Sequence, residues 1–528
     1  MKSLSTHSSR REENPSSETD RHKACERKRM CGPGAFEQKR RNAPHSKGFA
    51  RFKAPRNARQ HLECGAFRRF CFAVHWQALI SGRPQRADID RSLLTSAALC
   101  FVTLLLLCTG GRSLAQSLLL TGATIHTVSG ETISNGKVLI QNTRIAGVGT
   151  TVSGAGAQIV DLAGQHLYPG LIALDTTLGL QEIGAVRSTL DSTEAGEGYT
   201  PDVESWIAVN PDSELIPVSR ANGIAYFEPV PEGGVVSGQS GLVSVEGWTS
   251  EQRTLKKPIA LHLFWPTVDL DTTVRSRGKS KGKSLDEQAK ERRTKLRALQ
   301  EFFAEASHYA KAKDAVGKDG APAVGHVPAW EAMLPYVKGE LPLMIHADDI
   351  RQIKAAVDWT ETNHYKMVLV GGLNAAKVAD LLGSKKIPVV YPHTFAVPSR
   401  DTDSYDIHFK TPKLLHDAGV QVIFGNGLGS MDAALTKNLP YSAAQAVAFG
   451  LPESEALKGL TLYPAKVAGV ANHLGSIEPG KDATLFAADG DILDIRAHVT
   501  HLWIDGKEVS LESRHTRLYE KYKNRPKP

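Results

Sequence analysis

Residues 158–175 read QIVDLAGQHLYPGLIALD, and this stretch decides the fold prediction. The apolar residues before Asp161 predict a strand, and Asp161 to Gly164 predict a turn. After the Pro-Gly pair the chain is apolar up to Asp175, as expected of a strand that is buried on both faces. A polar residue that ends such a strand is a candidate site residue, because sites form at the carboxyl ends of parallel strands.

Outward from this stretch, apolar runs alternate with helical segments from about residue 171 to residue 465. Examples are LPLMIHA, DDIRQIKAAVDW, KMVLVGG and NAAKVADLLGSK. Such alternation predicts parallel strands with helical crossovers, and eight units that close into a barrel need about 250 residues. Short strands with Gly and Asn turns flank this region, in residues 116–170 and 466–528. The fold class is therefore predicted as α/β, a TIM-like (β/α)8 barrel with a small β-sandwich formed from both ends of the mature chain.

Charge and cysteine separate the first 115 residues from the rest of the chain. Residues 1–115 hold 22 Lys and Arg against 9 Asp and Glu, a net charge of +13, whereas the remaining 413 residues hold 42 against 47. All six cysteines precede residue 109. The body is thus mildly acidic, which argues against a nucleic-acid partner, and it has no cysteine for a disulfide, a thiolate metal site or a nucleophile.

Residues 91–115 have the pattern of a signal peptide. Arg91 precedes the uncharged run SLLTSAALCFVTLLLLC, and Ser113-Leu114-Ala115 places small residues before Gln116. The protein is therefore expected to be exported, to a periplasm or outside the cell, with no stable membrane anchor after cleavage; the alternative is a single anchoring helix. Residues 1–90 are basic and lack periodicity, which indicates a disordered leader or a translation start further along the chain.

Four segments of the body resemble the amidohydrolase superfamily, especially its imidazolonepropionase-like branch. They are NTRIAGVG at 142–149, DLAGQHLYPGLI at 161–172, LTLYPAK at 460–466 and GSIEPGKDA at 475–483. They lie at both ends of the body in the order that the family shows. The resemblance implies a barrel whose strand ends hold one or two divalent metals, which convert water into a nucleophile near neutral pH.

The metal ligands that this resemblance implies are mostly replaced in this sequence. The His-x-His pair after the first barrel strand falls on Asp175 and Thr177, and the late aspartate falls on Gly427. A further family histidine falls on Gly371 or Gly372, so only His346 stands where a strand-end imidazole is expected. Asp175 and His346 are the remaining candidate ligands for zinc or manganese. No P-loop motif supports a nucleotide cofactor.

The candidate site residues come from strand ends and from the polar loops that follow the first strands. We assign catalytic roles to Asp175, Glu182 and His346, and substrate-binding roles to Arg220, Gln239 and His393. A purely structural role stays open for each of these residues. Each lone histidine can be a hydrogen-bonded structural residue, and Arg220 can belong to a structural ion pair.

Two functions are consistent with these residues. The first is an exported amidohydrolase-like enzyme that hydrolyses a non-peptide C–N bond, such as that of a cyclic amide, with a reduced or atypical metal site. The second is a non-catalytic relative that binds a small molecule or a protein partner. The loss of the usual ligands favours the second function, whereas the polar residues crowded in the loops after the first strands favour the first. Ser-His-Asp chemistry has no support, since no Gly-x-Ser-x-Gly elbow is found. The expected partner is a small-molecule substrate or ligand, and the chain can also form a homo-oligomer.

Overall fold

The protein is described here from a computed structural model, which covers residues 117–194, 198–268, 283–317 and 323–526. The predicted leader and signal peptide lie outside these residues. Within these ranges, none of the helices combines the length and the apolar composition that crossing a bilayer requires.

An eight-stranded sheet joins the two ends of the described chain. Its strands are β1 (Ser117–Ile125), β2 (Ile133–Gln141), β3 (Arg144–Gly149), β4 (Gln158–Asp161), β5 (His166–Pro169), β14 (Leu485–Ala488), β15 (Val499–Ile504) and β16 (Lys507–Glu508). Strand β1 pairs antiparallel with β2 and parallel with both β4 and β5, and β5 pairs with β14. The predicted contribution from both termini is present. These backbone hydrogen bonds join the strands into one sheet, and its division into the two layers of a sandwich stays a prediction.

The central part of the chain forms a closed barrel of eight strands. These are β6 (Leu171–Thr176), β7 (Ile224–Pro229), β8 (Val236–Ser244), β9 (Thr254–Phe264), β10 (Leu343–Ala347), β11 (Met367–Gly371), β12 (Val389–Tyr391) and β13 (Val422–Gly427). Strand β8 is antiparallel to both β7 and β9, whereas the other neighbours are parallel. The barrel is therefore not a regular (β/α)8 repeat. Only residues 230–235 join β7 to β8, which is too short for the helical crossover that a parallel pair needs.

Helices surround the barrel mainly after β9. They are α1 (Leu215–Arg220), α2 (Ser250–Arg253), α3 (Leu285–Ala315), α4 (Pro328–Val337), α5 (Ile350–Asn363), α6 (Ala379–Ser384), α7 (Ile407–Asp417), α8 (Ser430–Leu435), α9 (Leu439–Ala448), α10 (Glu453–Leu460), α11 (Leu462–Val467) and α12 (Arg514–Lys523). The starts of α3 and α5 are fixed by capping boxes, Ser284 with Glu287 and Asp349 with Gln352.

The barrel interior is filled by apolar side chains up to the level at which the strands end. Ile172, Leu174, Met344, Val390 and Ile423 are completely buried members of this core. Polar side chains replace the apolar ones at the carboxyl ends of the parallel strands. The apolar core thus forms the floor of the site described below, and it keeps water away from the polar groups that rest on it.

His126 links β1 to β5 in the eight-stranded sheet. Its Nε2 lies 2.9 Å from His166 Nδ1, and its ring stacks on Tyr168 with the centroids 4.3 Å apart. Burial, and then the neighbouring His166, lower the pKa of His126 to about 4. The folded sheet thus favours the neutral ring.

We expect this histidine to make the fold sensitive to acid. The unfolded chain binds the proton near pH 6.5 and the folded chain only near pH 4, so the stabilisation is complete above pH 6.5 and is lost as the pH falls toward 4. His126→Phe keeps a stacking ring without a titrating group, and it should reduce the loss of unfolding free energy between pH 7 and 4 by about 2 kcal/mol after solvent screening. Urea unfolding at both pH values measures the difference. His308→Gln, on the exposed side of α3, is the control, and an equal pH slope in wild type and His126→Phe would contradict the expectation.

Candidate active site

The parallel barrel strands end at one mouth, where polar side chains from five strands or strand ends gather. Asp175 lies in β6, Glu228 in β7, His262 in β9 and His346 in β10, and His393 follows β12. Because β6, β7 and β9–β13 run in the same direction, their carboxyl ends meet at this end of the barrel. The mouth therefore contains three of the predicted site residues, Asp175, His346 and His393.

Asp175 is held in an unusual position at the floor of the mouth. It has a left-handed backbone with φ of 56°, and it is only 2% exposed. Its backbone N–H donates to Glu228 Oε2 at 3.2 Å, whereas its own Oδ1 is buried without a hydrogen-bond partner. Burial, followed by the charges of Glu228, Asp348, Glu232 and Asp432, raises the pKa of Asp175 well above its ordinary value. The protonated form of this carboxyl group is thus favoured, and one of its oxygens makes no hydrogen bond within the protein.

A chain of buried polar groups lies beside Asp175. Ser240 Oγ donates to Glu228 Oε1 at 2.6 Å, and His262 Nε2 lies 3.3 Å from the same oxygen. On its other side His262 Nδ1 lies 3.1 Å from His346 Nε2. The His346 ring also stacks on Phe264, with the centroids 4.1 Å apart. Burial, and then His262, lower the pKa of His346 well below its usual value, so this ring stays neutral at physiological pH.

Asp348 and His393 form a carboxylate–imidazole pair at the rim. His393 Nε2 lies 2.9 Å from Asp348 Oδ1, which also accepts the backbone N–H of Leu373 at 3.0 Å. Partial burial opposes ionisation of Asp348, but the hydrogen bonds from His393 and from the backbone outweigh it and lower the pKa of this carboxyl. A charged carboxylate on Nε2 orients the ring and leaves Nδ1 as a proton acceptor.

Glu182 lies in the loop after β6, next to a polar network that joins this loop to the one after β7. Gln181 Nε2 and Ser192 Oγ both donate to Glu232 Oε2, the latter at 2.8 Å. Glu182 itself is partly buried, and its Oε1 has no hydrogen-bond partner. Burial first raises the pKa of Glu232, and the two donors lower it in part.

Arg220 and Gln239 do not lie in the mouth. Arg220 precedes β7, at the opposite end of the barrel, and its Nη1 forms an ion pair with Glu246 Oε2 at 2.5 Å. Gln239 is buried in β8, where its Nε2 donates to Pro201 O at 3.0 Å and its Oε1 accepts from the Tyr336 hydroxyl at 3.0 Å. Both side chains are thus occupied by structural partners, the alternative that the sequence left open for Arg220.

Glu228, His262 and Asp348 belong to the site, although the sequence did not single them out. A usable signal was present for the first two, since Glu228 interrupts the apolar run IAYF and His262 interrupts IALHLF. A charged or titratable residue inside a strand that is otherwise apolar must find a partner in the barrel interior. Asp348 carried a weaker signal, because it also precedes the capped start of α5.

The positions that the sequence resemblance assigns to metal ligands do not form a metal shell in the described residues. The hydroxyl of Thr177 is engaged twice by Gly429, donating to its carbonyl at 3.0 Å and accepting from its N–H at 3.2 Å. Gly427 offers no side chain, and His346 Nε2 faces His262. In the described ranges, no three His, Cys, Asp or Glu side chains are grouped so that they could hold a metal ion. We therefore derive no chemical step through a metal.

Comparisons with known proteins show which proteins this chain resembles. Residues 400–510 match the model of the amidohydrolase family. An amidohydrolase structure from Thermotoga maritima is similar over 74% of this chain and 99% of its own, with 26% identity and a TM-score of 0.64. Residues 400–510 thus resemble the amidohydrolase family, and the fold resembles that of the Thermotoga maritima amidohydrolase.

A curated relative is also described as an amidohydrolase. The amidohydrolase tasK of Hapsidospora irregularis is 23% identical over 377 residues, which cover 66% of this chain and 37% of that protein. This chain therefore spans little more than a third of the length of that relative. The family segment at 400–510 includes two of the four stretches on which the sequence resemblance was based, at 460–466 and 475–483.

Proposed function

We propose that this protein hydrolyses a non-peptide C–N bond of a small molecule, with cyclic amides of the kind opened by imidazolonepropionase-like enzymes as the first candidates. One observation carries the proposal. A buried carboxyl group with an unused oxygen, Asp175, lies at the floor of the same mouth as an oriented carboxylate–imidazole pair, Asp348 and His393. Both similar proteins are described as amidohydrolases, which supports the reaction class.

His393 is the general base in this proposal. With Nε2–H donated to Asp348, its Nδ1 can take a proton from a water molecule as the water oxygen attacks the carbonyl carbon of the substrate. The carboxylate of Asp348 stabilises the imidazolium that forms, because it lies 2.9 Å from the ring nitrogen. This arrangement requires no rearrangement of either side chain.

Asp175 is the general acid. Its raised pKa favours the protonated carboxyl group, and a proton is what the leaving nitrogen needs when the C–N bond breaks. The balance is complete: water supplies OH to the carbonyl carbon and H to His393, and Asp175 supplies H to the amine. Transfer of the proton from His393 back to Asp175 through solvent then restores both groups.

His346 contributes by position rather than by proton transfer. Ser240, Glu228 and His262 form a fixed row behind it, and Phe264 covers one face of its ring. The neutral ring gives the mouth a flat polar wall. The export signal at residues 91–115 adds a proposed location outside the cytoplasm, which N-terminal sequencing of the mature protein, starting at Gln116, would test.

We expect His393→Gln in the full chain to lower kcat by about 100-fold or more, with a small change in KM, for whichever cyclic amide the wild-type protein hydrolyses. The substitution removes the base and keeps the shape of the site. Asp348→Asn should lower kcat by a smaller factor, since the base remains but is less well oriented. Steady-state kinetics on a panel of lactams, hydantoins and imidazolones measures both effects. His416→Gln, on the outer helix α7, is the matched control.

An unchanged kcat in His393→Gln would remove His393 from the reaction. Saturable binding of panel compounds with no turnover in the wild type would support the non-catalytic alternative. That alternative draws on the engagement of Thr177 and His346 by other protein groups.

A further inference from the structure

A cavity lies at the opposite end of the barrel from the mouth, where strands β9 to β13 begin; we call it the basal cavity. These strands run parallel to one another, so their amino ends meet there. The volume of the basal cavity is about 370 Å³, and small-molecule sites typically have about 300–1,000 Å³. Its lining at the strand starts consists of Lys256, Ile259, Pro342, Met367, Pro388 and Gln421.

Three lysines line the basal cavity against a single carboxylate, that of Glu340. Lys256 Nζ donates to Gly469 O at 2.9 Å, and Lys366 Nζ donates to Glu340 O at 2.9 Å, so two of the ammonium groups are held by carbonyls of the lining itself. Lys466 is exposed in α11. Within the described ranges, none of the three lysines forms an ion pair with a carboxylate. The basal cavity therefore carries an excess of positive charge on a body that is mildly acidic.

Backbone groups at the strand starts do not compete with the lysines for a ligand. Pro388 O accepts the N–H of Leu369 at 3.0 Å, and Gln421 O accepts the N–H of Val389 at 3.0 Å, so the neighbouring strands already occupy these acceptors. Pro342 and Pro388 have no N–H to donate. Each lysine ammonium carries three N–H donors, and the carbonyls described above use one donor of each of two lysines. Lysine N–H donors are therefore the main polar groups that the lining offers.

The floor of the basal cavity is apolar. Ile259 and Val368 are buried members of the core that fills the barrel, and Met367 is a buried member of the neighbouring core cluster. Leu341 and Val467 are partly buried beside them. A ligand that covers this floor with hydrocarbon removes apolar surface from water, which a bare inorganic ion cannot do. The floor and the lysines together require an anionic head on an apolar body.

We propose that the basal cavity binds a small organic anion of this kind, an alkyl carboxylate. The carboxylate lies among the ammonium groups of Lys256, Lys366 and Lys466, where its two oxygens accept charge-assisted hydrogen bonds. The alkyl chain covers the apolar floor. The basal cavity shares no residue with the mouth, so this site is separate from the proposed reaction and does not depend on it.

Calorimetry of the full chain tests the basal cavity with three probes: octanoate, its neutral analogue 1-octanol, and acetate, which lacks the chain. We expect octanoate to bind at least tenfold more tightly than either of the others. Its affinity should fall as NaCl is added, because salt screens the lysine charges. Lys366→Gln combined with Lys466→Gln should lower the octanoate affinity by about tenfold. Lys354→Gln, which removes an exposed lysine from α5, is the matched control and should leave the affinity unchanged.

Gln421→Trp is a second variant, which fills the basal cavity from its exposed rim without changing a charge. It should also lower the octanoate affinity by about tenfold or more, and it keeps the test decisive if the double lysine variant does not fold.

Equal affinity for octanoate and 1-octanol, or no binding of octanoate, would overturn the proposal. Octanoate binding that neither the double lysine variant nor Gln421→Trp weakens would place the ligand elsewhere in the protein and would also overturn it. Binding to phosphatidylglycerol vesicles that the double lysine variant abolishes, with no binding of free octanoate, would assign the lysines to a membrane surface instead. All of these readouts measure binding, so they are independent of turnover at the mouth.

Discussion

Replacing Asp175 by asparagine is expected to abolish hydrolysis and, at the same time, to stabilise the folded protein. The carboxyl group is buried among other carboxyl groups, and its Oδ1 has no partner. An amide cannot ionise, and it offers two N–H donors to neighbouring acceptors such as Glu228. Asparagine also tolerates the left-handed backbone that residue 175 adopts, so the substitution adds no strain.

The expected gain is about 1–2 kcal/mol in unfolding free energy, and the expected loss is about 100-fold or more in kcat, because an amide cannot donate the proton that the leaving nitrogen needs. Opposite changes in stability and activity are the signature of a group retained for function. Urea unfolding and steady-state kinetics on the same preparation measure the two effects.

Asp505→Asn is the matched control for Asp175→Asn. Asp505 also has a left-handed backbone, with φ of 50°, and burial also raises the pKa of its carboxyl, but it lies at the turn between β15 and β16. Asp505→Asn should show how the loss of such a carboxyl group changes the free energy of unfolding, and it should leave kcat unchanged. Destabilisation by Asp175→Asn, together with retained activity, would show that Asp175 is a structural carboxylate and not the acid.

The second large effect is expected at Glu228. Its side chain accepts from Ser240 Oγ and from the Asp175 backbone N–H, and its Oε1 lies 3.3 Å from His262 Nε2. Glu228→Ala removes the acceptor of the Ser240 hydroxyl and of the Asp175 N–H inside the barrel and opens a cavity, so it should cost about 3–5 kcal/mol. Glu228→Gln keeps an acceptor oxygen and the volume, and it should cost about 1 kcal/mol or less.

The difference between the two Glu228 variants is the diagnostic quantity. Chemical unfolding measures the free energy of unfolding of both variants. Glu246→Gln, at the opposite end of the barrel, is the control, because it removes a surface ion pair that contributes only about 0–1 kcal/mol. If alanine and glutamine at position 228 are equally tolerated, the row from Ser240 to His346 does not organise the barrel interior, and the positioning role of His346 would have to be abandoned.

Particular residues show how far the sequence could predict the site. Asp175 and His346 were predictable because each ends an apolar run, and the end of a parallel strand is a fixed place in a barrel. Arg220 and Gln239 were placed in the mouth on the assumption that the loops and strands after β6 continued a regular repeat. The reversal of β8, together with the position of Arg220 before β7, puts both residues elsewhere.

By itself, the sequence determined the two chain ends that share a sheet and the apolar strands of the barrel, and it predicted that Asp175, Thr177 and Gly427 replace the metal ligands of the family that it resembles. These properties depend on local pattern and on matched segments. The tertiary structure alone decided which polar groups meet. Thr177 pairs with Gly429, 252 residues away, and His262 with His346, 84 residues away. Such pairs depend on how the barrel closes and on which way each strand runs, and no local pattern encodes that geometry.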